Sequence, residues 1–238
     1  MAEIAFPDGI APCFVKIFRP ETGGLVNEVI GWLLARECRL NVAARAAIVE
    51  IPLNRLASRA PAWALNSSAH AVTAIAIEQI PGDPISIIHA GADDDLWDEL
   101  LTQIAGRRIA AFDEWTSNND RHAGNLIRDS SRRWWAIDFS ELLGSHLWPV
   151  MRDFGIVDHQ GTQLLARARK RLKDKDLRKF TSAMIGAADH HQASFKACEK
   201  AIADAILQAH GPEAANMVVS FLAQRAHRSW LPDRLKLI

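Results

Sequence analysis

The chain has 238 residues, 49% hydrophobic and 24% charged, enough for one large domain or for two small lobes sharing a cleft. Its 28 Lys and Arg balance 28 Asp and Glu, so no net charge draws it onto nucleic acid or an anionic membrane, and no direct nucleic-acid partner is expected. No apolar run approaches the roughly 18 residues of a membrane span. The start, Met1-Ala-Glu-Ile-Ala-Phe6, lacks the basic-then-apolar pattern of a signal peptide, which predicts a cytoplasmic protein without membrane contact. Cys13, Cys38 and Cys198 are widely spaced, with no pairing or zinc pattern, and are expected as small buried side chains.

In chain order, a turn at Pro7-Asp8-Gly9 precedes an alternating strand, Phe14-Val15-Lys16-Ile17-Phe18. Glu21-Thr22-Gly23-Gly24 ends it, and Val26, Val29, Ile30, Leu33 and Leu34 then recur at helical spacing, predicting a helix over 25–39. The apolar runs 46–52 and 72–80 read as strands, the second stopped by Pro81-Gly82. These segments predict a small mixed lobe of strands packed with one helix. After the acidic Asp93-Asp94-Asp95, one long helical pattern runs from Trp97 to Trp115 and ends in Thr116-Ser-Asn-Asn-Asp120. Leu126-Ile127 and 134–137 flank a charged turn and read as a hairpin; from about Thr162 the pattern is helical to the end. The fold class expected is α+β with two lobes, residues 1–82 forming a mixed lobe and residues 83–238 a mostly helical one. The hinge is expected near 78–84.

The residues richest in chemistry are Asn118-Asn119-Asp120-Arg121-His122-Ala123-Gly124-Asn125-Leu126, followed by Trp135-Ala136-Ile137-Asp138-Phe139-Ser140. Phosphoryl transfer needs a carboxylate to orient the attacking hydroxyl and accept its proton. It also needs an amide oxygen and a second carboxylate to hold magnesium against nucleotide phosphates. In protein kinases the magnesium Asn follows the catalytic-loop Asp by about five positions, and Asp120 and Asn125 are five apart here. Asp138 ends the hairpin strand that follows, where the second metal carboxylate belongs. Gly124 is expected to let the backbone turn tightly beside Asn125.

Phe112-Asp113, Trp115, Asn118, Asp120-Arg121-His122 and Gly124-Asn125-Leu126, with Ile137-Asp138 after a short hairpin, resemble the catalytic segment of HipA-like kinases. The loop is similar, more distantly, to that of phosphatidylinositol 3- and 4-kinases. The resemblance implies a two-lobed protein-kinase-like fold and ATP- and magnesium-dependent phosphorylation, usually of a protein serine or threonine and often by the toxin of a toxin–antitoxin pair. By it, Lys16 contacts nucleotide phosphates and Glu28, twelve residues on, positions Lys16. Glu78 to Gly82 then forms the interlobe hinge that receives the adenine edge. A protein substrate is the expected partner. With no Tyr in the chain, self-phosphorylation on tyrosine is excluded.

Other readings stand beside these. Asp120 alone reads as a loop carboxylate capping an Asn-rich turn, and it is the offsets to Asn125 and Asp138 that favour catalysis. His122 has two open roles, touching metal-bound phosphates or hydrogen-bonding the loop into shape; Arg121 is expected to brace the loop. Asp153-Phe154-Gly155 spells the kinase metal tripeptide but lies 28 residues beyond Asn125 against thirteen for Asp138, so it is read as chance. The basic run 167–173 reads as a solvated helix face. His190 and His191, about 100° apart on a helix, are not expected to share a metal. A glycine-rich phosphate loop is missing ahead of Lys16. A minimal member, a truncated start, or an antitoxin or other partner completing the lobe would account for that. The rival readings are a pseudokinase or binding module without turnover, and a kinase of a lipid or small molecule.

Overall fold

The computed structural model describes residues 1–56, 60–65, 69–84, 93–151 and 162–236. β1 (Ala2–Phe6) and β2 (Gly9–Ile17) form a hairpin whose register closes on Phe6 opposite Gly9. Gly9, at φ 140°, occupies a conformation that side chains rarely adopt, so the short turn at Pro7-Asp8 needs glycine there. α1 (Gly24–Glu37) follows, then β3 (Ala46–Pro52), the one-turn helices α2 (Leu53–Leu56) and α3 (Ala62–Leu65), and β4 (Ala71–Glu78). The four strands form an antiparallel sheet in the order β1-β2-β4-β3. Period-two alternation explains β2: Ala11 and Cys13 are buried, whereas Ile10, Pro12 and Phe14 are exposed on the face that carries Lys16.

At Gly82 (φ 116°) the chain leaves this sheet for a second one. β5 (Asp83–Pro84), β6 (Leu126–Arg128) and β7 (Trp134–Ala136) make three short antiparallel strands. The expected hairpin is β6–β7. The extra strand β5 is two residues long and contains proline, which an edge tolerates, so no periodicity announces it.

The helices of the second part are α4 (Asp93–Thr102), α5 (Ile104–Thr116), α6 (Trp148–Met151), α7 (Gln163–Arg171), α8 (Asp174–Ala188), α9 (His191–Ala226) and α10 (Trp230–Lys236). The single long helix expected across 97–115 is thus two. Gln103 is extended (φ −88°, ψ 156°), and a Cβ on Gly106 would lie 2.1 Å from the Leu100 carbonyl oxygen, so the two helices meet at a corner that only glycine fits. α9 breaks at Gly211 (φ 84°), and Pro212 starts its second half, where a missing N–H costs nothing.

One large core joins Trp97, Trp115, Trp134 and Trp148 to apolar residues of α5, α7, α8 and α9. Val26, Ile30 and Leu34 of α1 belong to this core, and α1 packs more extensively along α9 than on the strands with which the sequence grouped it. The first sheet has its own small cluster around Ala11, Cys13 and Ala76. The basic run on α7 is less solvated than expected. Arg171 holds Asp98 at 2.6 Å and the Arg167 guanidinium lies 4.3 Å from the Trp97 ring centroid, tying α7 to α4. Among the described residues, no helix is long and apolar enough to cross a membrane.

Candidate functional site

α5 ends at Ser117, left-handed at φ 54°, and the chain turns into the polar loop. Asp113, in the last turn of α5, is fully buried and accepts hydrogen bonds from Asn118 Nδ2 (3.0 Å) and from Arg121 Nε and Nη2 (3.1 Å each). Arg121 is also fully buried, and its Nη1 donates to the backbone oxygens of Asn125 (3.0 Å) and Ile137 (2.7 Å). One guanidinium thus fastens the helix, the loop and the end of β7 together, the bracing role expected of it. Ile137 N donates to Asn125 O at 3.2 Å, which sets the backbone of Asn125 next to the residue before Asp138. Burial pushes the Asp113 pKa up, with Arg121 working against it.

Asp120 is partly exposed. Its carbonyl accepts Asn125 Nδ2 at 2.7 Å, and its carboxylate lies 3.3 Å from the same nitrogen. The Asn125 amide therefore turns its nitrogen to Asp120 and leaves its oxygen for another partner. His122 Nδ1 accepts the Gly124 N–H at 2.9 Å, closing the 3-10 turn 123–125. In neutral His122 the proton then sits on Nε2, which lies 3.6 Å from Asp120 Oδ2, too far for a hydrogen bond. Shaping the loop is thus a role His122 visibly performs. Gly124 does not use the expected freedom of glycine, because the 3-10 turn forms without a positive φ there.

Lys16 Nζ lies between two carboxylates, 2.5 Å from Glu28 Oε1 and 3.0 Å from Asp138 Oδ1. β2 supplies the lysine, α1 the glutamate and the end of the β6–β7 hairpin the aspartate. Glu28 is fully buried; burial raises its pKa to about 7, with Lys16 opposing. Burial also opposes ionisation of Asp138, yet Lys16 and the Ser140 hydroxyl together hold it down at about 2. Lys16 is raised by the two carboxylates in spite of its own burial. Asp138 takes a left-handed φ of 57°, which costs roughly 1 kcal/mol in a residue with a Cβ. Its Oδ1 accepts from Lys16, from Ser140 Oγ (2.8 Å) and from Ser140 N (3.3 Å), and the carboxylate is also hydrogen-bonded to Glu28.

The remaining candidates lie elsewhere. The Glu78 carboxylate is gripped by Arg45 Nε (3.1 Å) and Nη2 (2.8 Å), and Arg45 also reaches Asp8 (3.2 Å). Those contacts brace the first sheet, and among the described residues no hydrogen bond joins Glu78 to the Lys16 group. Asp153 lies outside the described residues. His191 stacks on Trp115 with ring centroids 4.4 Å apart, and burial pushes its pKa down to about 3, as suits a packed ring.

Two residues of the site went unnoticed in the sequence. Asn27, fully buried, donates to the carbonyls of Ser140 (2.7 Å) and Leu142 (2.9 Å) and accepts from Trp148 Nε1 (2.9 Å). It pins the segment after Asp138 to the helix that carries Glu28. Gly31, one turn further on, lets Phe139 touch α1: a Cβ there would lie 2.3 Å from Phe139 Cβ. A signal existed, since Asn27, Ile30, Gly31 and Leu34 share one helical face and a polar residue on an apolar face must find partners.

The donors fit a hard divalent cation. The amide oxygen of Asn125 and the carboxylate of Asp138 are the ligand type magnesium takes, with waters and phosphates completing its shell. Among the described residues there is no cluster of three or more His, Cys, Asp and Glu that would hold a metal by itself. No protein-family model matches the chain, and no curated protein matches it.

Proposed function

We propose that this chain is a phosphotransferase of the HipA-like kinase type, two-lobed, using ATP with magnesium to phosphorylate a hydroxyl, most simply a serine or threonine of a protein. The observation that carries the reading is the Lys16 ammonium held between Glu28 and Asp138, beside a loop in which Asn125 bonds Asp120. A lysine–glutamate ion pair bridging strand and helix, with a metal aspartate next to it, is the arrangement protein kinases use to hold α- and β-phosphates.

In this reading Lys16, oriented by buried Glu28, neutralises charge on the nucleotide phosphates. Asn125 and Asp138 would hold magnesium, which would supply positive charge to offset that of the nucleotide phosphates. Asp120, partly exposed, orients the acceptor hydroxyl and takes its proton as the oxygen bonds to phosphorus and the bond to the nucleoside diphosphate breaks. His122 keeps the loop in shape, and 78–82 is the segment that would meet the adenine edge. A toxin role, with an antitoxin as partner, extends the same proposal.

The test is transfer of radiolabel from ATP to protein acceptors, with binding measured in parallel. Asp120→Ala should keep ATP binding and lose transfer by ~10²–10⁴-fold, the usual cost of a positioned base. Asp138→Asn should lose the magnesium-dependent part of binding. Magnesium-dependent ATP binding that survives Asp138→Asn would end this assignment.

One observation favours a second reading, a pseudokinase that binds without turnover. The turn before Lys16 is short, and Asp8 within it is held by Arg45, so this turn offers no glycine-rich cradle for phosphates. ATP binding without transfer by the wild-type chain to any acceptor, lipids and small alcohols included, would select it.

A further inference from the structure

On the helical part a cleft of about 470 Å³ opens where α1 ends, where α5 begins, and where α8 gives way to α9. This is the size of an ordinary small-molecule site, and none of the Lys16, Asp120, Asn125 or Asp138 group lines it. Arg39, Arg107 and Arg108 do line it, facing a single acidic residue, Glu37. Among the described residues none of the three arginines has a carboxylate within 4.0 Å, the single acidic residue of the lining included. Arg107 donates from Nη2 to Thr102 O at 3.0 Å, but its Nε is buried and has no partner.

Compensation of helix dipoles does not account for the three. α1 and α8 end at the cleft while α5 and α9 begin there, the latter two without side-chain caps, so the helix ends offset one another. The excess of two positive charges remains to be matched. Apart from His190 and His191, the rest of the lining is apolar or small. Ile104 is 64% exposed at the mouth, and a Cβ built on Gly186 meets nothing within 4 Å, so α8 leaves open space above its glycine.

We propose that this cleft binds a small phosphate monoester with an apolar or aromatic body. The guanidinium groups take the dianionic phosphate in forked hydrogen bonds, and the body lies against Ile104 and the open face of α8. The inference does not depend on the phosphotransferase reading.

The experiment is calorimetry on the full chain with phenyl phosphate and with inorganic phosphate, free of magnesium and nucleotide. Phenyl phosphate should bind saturably and at least tenfold more tightly than inorganic phosphate. Arg107→Gln and Arg108→Gln should each weaken it about tenfold or more, the scale of one charged hydrogen bond. Gly186→Leu fills the open space and replaces a poor helix former by a good one, so it should abolish binding while the melting temperature holds or rises. Absence of saturable phenyl phosphate binding overturns the proposal, and so does binding that survives Gly186→Leu in the folded variant.

Discussion

Replacing Arg121 by methionine tests how the candidate loop is held. Arg121 and Asp113 are both fully buried, and without the guanidinium Asp113 keeps Asn118 as its only side-chain partner in the described network. An unpaired buried charge costs about 3–5 kcal/mol, but the carboxyl can escape by binding a proton. From its ordinary pKa of 3.8, holding that proton at pH 7 costs about 4 kcal/mol, and at pH 5 about 2 kcal/mol, at 1.36 kcal/mol per unit. The sign follows from proton counting. Above pH 3.8 the folded variant holds a proton that its unfolded chain releases, so the variant loses stability as pH rises. The gap between wild type and variant should therefore widen by up to about 3 kcal/mol from pH 5 to pH 7. Any wild-type fraction with Asp113 protonated narrows it, since burial raises that pKa too. Lost donors to Asn125 O and Ile137 O add a pH-independent part of about 1 kcal/mol each. Urea denaturation at both pH values is the assay. Adding Asp113→Asn, which removes the charge, should recover the pH-dependent part alone. A gap of constant size across this range would refute the reasoning.

Two further outcomes can be checked the same way. The buried ring of His191, with its pKa near 3, stays neutral while the unfolded chain protonates below 6.5, so its stabilising contribution is lost as pH falls. Between pH 7 and pH 5 wild type should lose about 2 kcal/mol more than His191→Phe, which keeps the stacking on Trp115, in paired denaturant titrations. Gly31→Ala puts a methyl 2.3 Å from Phe139 Cβ and must push the segment after Asp138 off α1. It should cost about 1–3 kcal/mol by thermal melt and, under the proposed function, should weaken magnesium-dependent ATP binding, because Asp138 moves with Phe139.

Short-range pattern made much of this protein legible. The alternation around Lys16 placed a strand and the apolar spacing from Val26 to Leu34 placed α1. The offsets from Asp120 to Asn125 and Asp138 picked out a loop and a hairpin end whose backbones Arg121 ties together at Asn125 and Ile137. Each of these depends on neighbours within one element or one hairpin, where covalent spacing nearly dictates geometry. The misses have another origin. The corner at Gln103 depends on Gly106 fitting against Leu100, and β5 exists because β6 is there to pair with it. The Arg45 grip on Glu78 joins residues 33 positions apart. α1 packs on α9, and Asn27 reaches Ser140 across 113 positions. Such contacts leave only a faint trace in the chain, a polar or missing side chain on an apolar face. What fills that position is decided by which distant segment the collapse of the common core brings against it.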